Sequence, residues 1–183
     1  MSYEQVTPTN LADVLLPEPK VFSDERGFFL ESFNQRDFEE AIGKSVNFVQ
    51  DNHSCSQQGV LRGLHFQIRH PQGKLVRVTH GEVFDVVVDL RHSSPCFGQH
   101  TCTRLSSVSH HQLWIPPGFA HGFLVLSETA EFLYKTTDYW YPEHERTLLW
   151  SDPELSIDWP AENPQLSPKD LQGAILRSCE IFD

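Results

Sequence analysis

Between residues 21 and 140 the chain breaks into nine short β-rich runs, 21–33, 46–52, 60–67, 75–80, 82–90, 101–105, 112–115, 122–126 and 131–140, punctuated by Gly, Pro, Asn and Asp. Strands this short and this closely spaced favour a β-sandwich or barrel over alternating β and α units. The run 82–90 sharpens the point. Strict alternation puts Phe84, Val86, Val88 and Leu90 on one face and Val83, Asp85, Val87 and Asp89 on the other. Both faces are largely apolar, as in a strand buried on both sides. Asp85 then sits in an apolar wall and needs a partner, with a backbone group or a tyrosine as the plainest reading and a direct catalytic part as the other. Helical pattern is scarce. Asn34 can cap a helix over 36–42 that Gly43 stops, and Ser167-Pro-Lys-Asp170 has the cap, first-turn proline and early acid of a second.

At 183 residues the chain reads as a single domain, 1–183, large enough to bury a core without disulfides or metal. Fourteen basic residues against 25 acidic ones argue against electrostatic capture of nucleic acid or of an anionic membrane. They leave room for an anionic small molecule, because a few converging Arg and Lys residues can dominate one pocket. The cysteines, Cys55, Cys96, Cys102 and Cys179, form no Cys-x-x-Cys pair, which fits a reduced compartment. Met-Ser-Tyr-Glu-Gln-Val has neither the basic nor the apolar part of a secretory signal, and no stretch approaches the roughly 20 apolar residues of a membrane span. The expectation is a cytoplasmic protein.

Two segments carry chemistry. Residues 59–74, Gly-Val-Leu-Arg-Gly-Leu-His-Phe-Gln-Ile-Arg-His-Pro-Gln-Gly-Lys, read as a strand that delivers His65, with Lys74 close behind. Residues 112–123, Gln-Leu-Trp-Ile-Pro-Pro-Gly-Phe-Ala-His-Gly-Phe, read as strand, Pro-Gly turn and strand carrying His121. A metal-binding cupin usually shows His-x-His and then Glu in the first segment; here the series is His65-Phe66-Gln67, with no Glu before Glu82. Two imidazoles alone make a poor metal site, since three or four protein ligands are the norm. Strand parity raises a difficulty, because Arg62 and His65 point to opposite faces of an ideal strand. Only a bulge or twist at Gly63, or service from a strand edge, lets both reach one pocket.

Taken together, Asp24-Glu-Arg-Gly-Phe-Phe-Leu-Glu31, Gln50-Asp-Asn52, Arg62-Gly-Leu-His65, Gln72-Gly-Lys74, Pro117-Gly-Phe-Ala-His121, Tyr134-Lys-Thr-Thr-Asp-Tyr139 and Lys169-Asp170 closely resemble the dTDP-4-dehydrorhamnose 3,5-epimerases, over nearly the whole chain and in the family's order. The resemblance implies a mainly β, cupin-type barrel (jelly roll) with short flanking helices. It implies a homodimer that uses no metal and no other cofactor and converts dTDP-4-dehydro-6-deoxy-glucose to dTDP-4-dehydro-rhamnose on the way to dTDP-rhamnose. On this likeness His65 matches the general base, Asp170 its orienting carboxylate, Tyr134 the acid on the opposite sugar face and Lys74 the cation near the C4 oxygen. Arg26, Phe28, Glu31, Gln50, Asn52, Arg62, Lys74, His121, Tyr139, Glu145 and Lys169 are the implied substrate contacts, with N-terminal residues such as Arg26 and Glu31 reaching the neighbouring subunit's site. The stretch from His65 to Lys74 is one residue shorter than in some relatives. Trp140 stands where a second tyrosine is common, so that position can stack and donate an N–H but cannot transfer a phenolic proton.

The residue types suit the chemistry. Hydrogens at C3 and C5 of a 4-keto sugar are acidic because their removal gives an enolate whose charge rests on the C4 oxygen. That calls for a base that titrates near neutrality, a donor for the oxyanion and an acid on the far face. Plainer roles remain open to each residue: His65 as a satisfied core histidine, Tyr134 as barrel wall, Asp170 as a cap feature, Lys74 as a solvated strand start, Arg26 and Arg62 as surface charge. Rival functions are a single-site epimerase or ketoisomerase of a dTDP-4-keto sugar, a metal-dependent cupin oxygenase, and a nucleotide-sugar binding module.

Overall fold

The alternation of β8 (Glu82–Asp89) is the key to the architecture. In a computed structural model describing residues 2–183, Val83 and Val87 point into one apolar cluster and Val86 and Val88 into another, so the strand is covered on both sides. It lies in a five-stranded sheet of order β13-β6-β11-β8-β9, formed by β13 (Glu145–Thr147), β6 (Leu61–Gln67), β11 (Phe119–Val125), β8 and β9 (His100–Ser106). Facing it is a six-stranded sheet of order β1-β2-β10-β7-β12-β5, formed by β1 (Tyr3–Pro8), β2 (Leu15–Pro19), β10 (Gln112–Ile115), β7 (Lys74–His80), β12 (Thr129–Thr136) and β5 (Gln50–Gln57). All named pairings are antiparallel.

The space between the sheets is filled by Val76, Val78, Leu113, Ile115 and Phe132 from one and Val83, Val87, Leu105, Phe123 and Val125 from the other. Fully burying one such side chain is worth about 1.5–3 kcal/mol, so this layer dominates the stability of the sandwich. The outer face of the five-stranded sheet is covered by Leu148, Leu155 and Trp159 from the C-terminal segment. The outer face of the six-stranded sheet is covered by helix α1 (Gln35–Ile42), whose Phe38 packs in an aromatic group with Tyr3, Phe33, Phe48 and Trp114. The helix begins and ends as its sequence dictates: the Asn34 side chain accepts the Asp37 N–H at 3.2 Å, and Gly43 adopts φ 67°, the left-handed conformation that stops a helix.

The jelly roll is thus an open sandwich rather than a closed barrel. No strand pairing joins β5 to β6, although they are consecutive, and the sheets part there. Other departures from the sequence reading have local causes. The run 21–33 is a separate hairpin, β3 (Val21–Asp24) and β4 (Gly27–Leu30), turned by Glu25-Arg26 with Asp24 Oδ1 accepting the Arg26 N–H at 2.8 Å. β1 and β2 fall outside the nine β-rich runs, because β1 is polar and β2 contains Pro17 and Pro19, which read as breakers. The run 131–140 leaves the sheet after Thr136. The second helix reduces to one 3-10 turn, Asp170–Gln172, because the chain is then drawn into extended pairing with β13's neighbours, Ala174 N donating to the Thr147 carbonyl and Leu149 N to the Ala174 carbonyl. No helix among the described residues is long and apolar enough to cross a membrane.

Candidate active site

The parity difficulty on β6 resolves at Gly63. Leu61, Leu64 and Phe66 all pack in the same outer cluster, which simple alternation forbids. The register with β11 shifts there, from His121↔His65 to Phe123↔Arg62, so β6 carries one residue more than its partner. Gly63 takes φ +124° and lies so close to β11 that a Cβ would sit 2.6 Å from the Gly122 Cα. The bulge turns both Arg62 and His65 inward, onto a cleft of about 420 Å³ between the sheets.

His65 and His121 are directly opposite on the paired strands, and each is held by a carboxylate. His65 Nε2–H donates to Asp170 Oδ1 at 2.5 Å across 105 residues of sequence. Asp170 is fixed in turn by Ser167, whose Oγ donates to Oδ2 at 2.8 Å and accepts the Asp170 N–H at 3.1 Å. Burial pushes the Asp170 carboxyl up, but the bond and charge of His65, with Ser167 and Lys169, hold it below its ordinary value. It therefore stays an anion at neutral pH and holds the ring through Nε2, leaving the other ring nitrogen of His65 unengaged by the carboxylate. His121 Nε2–H donates to Asp85 Oδ2 at 2.8 Å, so the partner that Asp85 needs is an imidazole, neither backbone nor tyrosine. Asp85 is fully buried, and its Oδ1 makes no hydrogen bond among the described residues.

The opposite wall comes from the six-stranded sheet. Lys74 opens β7 and is buried, with Nζ donating, among the described residues, only to the His65 carbonyl, at 3.3 Å. Burial lowers its pKa to about 8, with Glu145 and Asp85 partly opposing the shift, so it is mostly an ammonium at neutral pH with donors to spare. Tyr134 is on β12, half-buried against the core. Burial raises its phenol, Glu145 adds to this and Arg62 opposes it, so it is protonated and able to give a proton. Gln50 and Asn52 line the same wall from β5, while Arg62 bridges the open seam by donating from Nε to Ser56 Oγ at 3.0 Å. Glu145 on β13 completes the rim. Burial raises its carboxyl, but Lys169 Nζ at 2.5 Å, the charge of His65 and the Trp140 Nε1–H at 3.2 Å outweigh this and lower it.

The structure thus brings His65, Asp170, Lys74, Tyr134, Gln50, Asn52, Arg62, His121 and Glu145 together, with Lys169 tied to the rim through Glu145. Arg26 and Phe28 do not reach the cleft of their own chain. Both lie on the β3–β4 hairpin, Arg26 exposed and paired with Asp24, Phe28 tilted against His110 with ring centroids 4.5 Å apart. Glu31 lies beyond that hairpin, where its carboxylate accepts the Ser2 hydroxyl at 2.6 Å. Tyr139 is 56% exposed and does not line the cleft, while its neighbour Trp140 lines the mouth. Sequence reasoning passed over Ser167 and Gln67 as site residues. Ser167 announced itself only as a cap, and Gln67 only as a histidine that was missing. Among the described residues no group of three or more His, Cys, Asp or Glu is placed to hold a metal ion.

The sequence profile of the family described as dTDP-4-dehydrorhamnose 3,5-epimerase matches residues 8–178. The chain belongs to that family. It is 63% identical over 179 residues to the dTDP-4-dehydrorhamnose 3,5-epimerase of Pseudomonas aeruginosa, covering 97% of this chain and 99% of the relative, and 60% identical to that of Shigella flexneri, covering 97% and 98%. Among solved structures, the dTDP-6-deoxy-D-glucose-3,5-epimerase of Legionella pneumophila in complex with dTDP-4-keto-L-rhamnose superposes with a TM-score of 0.94 at 52% identity, covering 96% of this chain and 94% of that one. As a member of the 3,5-epimerase family, the chain is an isomerase built on the cupin-type jelly roll.

Proposed function

We propose that the chain inverts C3 and C5 of dTDP-4-dehydro-6-deoxy-glucose, giving dTDP-4-dehydro-rhamnose for dTDP-rhamnose biosynthesis, without a metal. The observation that carries this is the placing of a carboxylate-backed imidazole and a protonated tyrosine on opposite sheets, facing one cleft with a buried ammonium in its wall. His65 takes the proton from the carbon next to the C4 ketone, and its positive charge is balanced by Asp170. The electron pair moves onto the C4 oxygen, where Lys74 donates to the enolate; one such donor contributes on the order of 10²–10³ in rate. Tyr134 gives a proton back from the other side, which inverts the centre; once His65 has released its proton to solvent and Tyr134 has regained one, the same steps serve the second carbon. Arg62, Gln50, Asn52, His121, Glu145 and Lys169 bind the nucleotide sugar.

Arg26, Phe28 and Glu31 fit this scheme only in trans, in a homodimer whose hairpins reach across to the neighbouring cleft. The exposure of Phe22, Phe28 and Phe29 on that hairpin supports the arrangement, since apolar side chains clustered on a projecting element call for cover. The pathway and the four unpaired cysteines fit the cytoplasm. Proton NMR of the substrate in heavy water with chelator-treated enzyme tests the proposal. Deuterium entering at both C3 and C5, with rhamno-configured product, is the expected result; exchange at one carbon indicates a single-site epimerase, and none removes the metal-free reading.

A further inference from the structure

Gln67 lies two residues beyond His65 on β6, on the same inward face and almost wholly buried. Its amide is engaged at three points. One N–H donates to the His70 carbonyl at 2.7 Å, the other to the Tyr139 carbonyl at 3.1 Å, and Oε1 accepts the Tyr141 N–H at 2.7 Å. The first partner belongs to the loop that leaves the five-stranded sheet after β6. The other two belong to the loop that leaves the six-stranded sheet after β12. One side chain therefore ties the two walls together at the mouth of the cleft. Between Tyr139 and Tyr141 sits Trp140, its own N–H donating to Gln50 Oε1 at 3.1 Å and its indole N–H to Glu145.

A leucine fills the same space without a polar group to desolvate, so packing alone gives no reason for an amide here. What the amide adds is a fixed separation between the strand that carries the base and the segment that carries Trp140. We propose that Gln67 is a positioning residue for the reaction, holding the Trp140 segment in place so that the nucleotide sugar enters a preformed slot with its reacting hydrogens presented to His65. This rests on the epimerase reading above. The position that bears a metal-ligating histidine in other cupins is put to a different use, as a clasp between loops. Preorganisation of this kind acts mainly on binding, because the free protein has already met the ordering cost.

The test is a double-mutant cycle on the full chain, with Gln67→Leu, Trp140→Ala and the pair, read by steady-state kinetics and by amide hydrogen exchange of residues 139–141 in the ligand-free protein. Gln67→Leu is expected to speed exchange of those amides about tenfold or more while leaving β12 protected. It is expected to raise KM about tenfold with a much smaller loss in kcat, the size set by one or two buried hydrogen bonds. The pair is expected to be little worse than the poorer single variant, because both remove the same wall. Additive losses, a fall in kcat at constant KM, or unchanged exchange at 139–141 in an active enzyme would each overturn the proposal. If Gln67→Leu does not fold, Gln67→Glu keeps the acceptor for Tyr141 and removes both donors, and the same coupling is expected of it. A folded wild-type protein that exchanges neither C3 nor C5 hydrogen overturns the epimerase reading and the reaction role with it, whereas the amide exchange data report on the clasp separately.

Discussion

His65 and His121 stand opposite each other on one strand pair, each donating through Nε2 to a carboxylate, yet the two pairs are differently made. The His65 side chain is 29% exposed and its partner comes from a remote 3-10 turn, braced by Ser167 and counterbalanced by Lys169. The His121 side chain is 8% exposed, lies over the Phe132 ring, and takes its carboxylate from the adjacent strand β8, where one oxygen has no hydrogen bond among the described residues. The first pair stands at the open cleft, where a ligand can reach the ring. The second is packed against Phe132 and almost wholly buried, with His121 still reaching the wall of the cleft. Two dyads of the same composition thus differ in burial, and the reaction proposed above uses the more exposed one as its base.

That contrast can be broken by substitution, and the effects should fall in a definite order. Replacing the base, His65→Ala, should abolish deuterium exchange at both carbons, a loss of about 10²–10⁴-fold or more seen by NMR. Asp170→Asn should cost on the order of 10² in kcat, because the ring loses its tautomer and the balance for its charge; a change in KM alone would place Asp170 outside the proton transfer. Asp85→Asn should cost about tenfold, chiefly in KM, and equal losses for the two carboxylates would erase the distinction drawn here.

Lys74 sharpens the same comparison through pH. Its pKa of about 8 means that the ammonium, and with it the donor proposed for the oxyanion, is lost as pH rises through about 8, so kcat should fall on that limb. Stability should move the other way. In the unfolded chain the lysine keeps its proton up to about 10.4, so between about 8 and 10.4 the unfolded state binds more protons and this group's contribution to stability rises with pH. Denaturant titrations at pH 7.5 and 9.5 on wild type and Lys74→Met would show the rise in the first and its absence in the second.

How far these features could be read from sequence follows their physics. The alternation in 82–90, the Asn34 and Gly43 caps and the Pro-Gly turn before His121 are local rules, and the structure obeys them. Asp170 meeting His65 depends on a contact spanning 105 residues, which no periodicity encodes; family likeness supplied it. The bulge at Gly63 was legible only as a contradiction between Arg62 and His65, and tertiary pairing with Gly122 settled its form. Asp85 announced a need for a partner without naming His121. Gln67 was noticed for what it replaced, and its three backbone partners became visible only with the loops in place.

The central claim is that proton removal and proton delivery come from opposite sheets, and the most direct measurement follows both in one variant. Tyr134→Phe, incubated with dTDP-4-dehydro-6-deoxy-glucose in heavy water and followed by proton NMR, should still exchange the C3 and C5 hydrogens through His65 while net inversion falls much further. Equal loss of exchange and inversion would remove Tyr134 as the far-face acid and contradict the two-walled account.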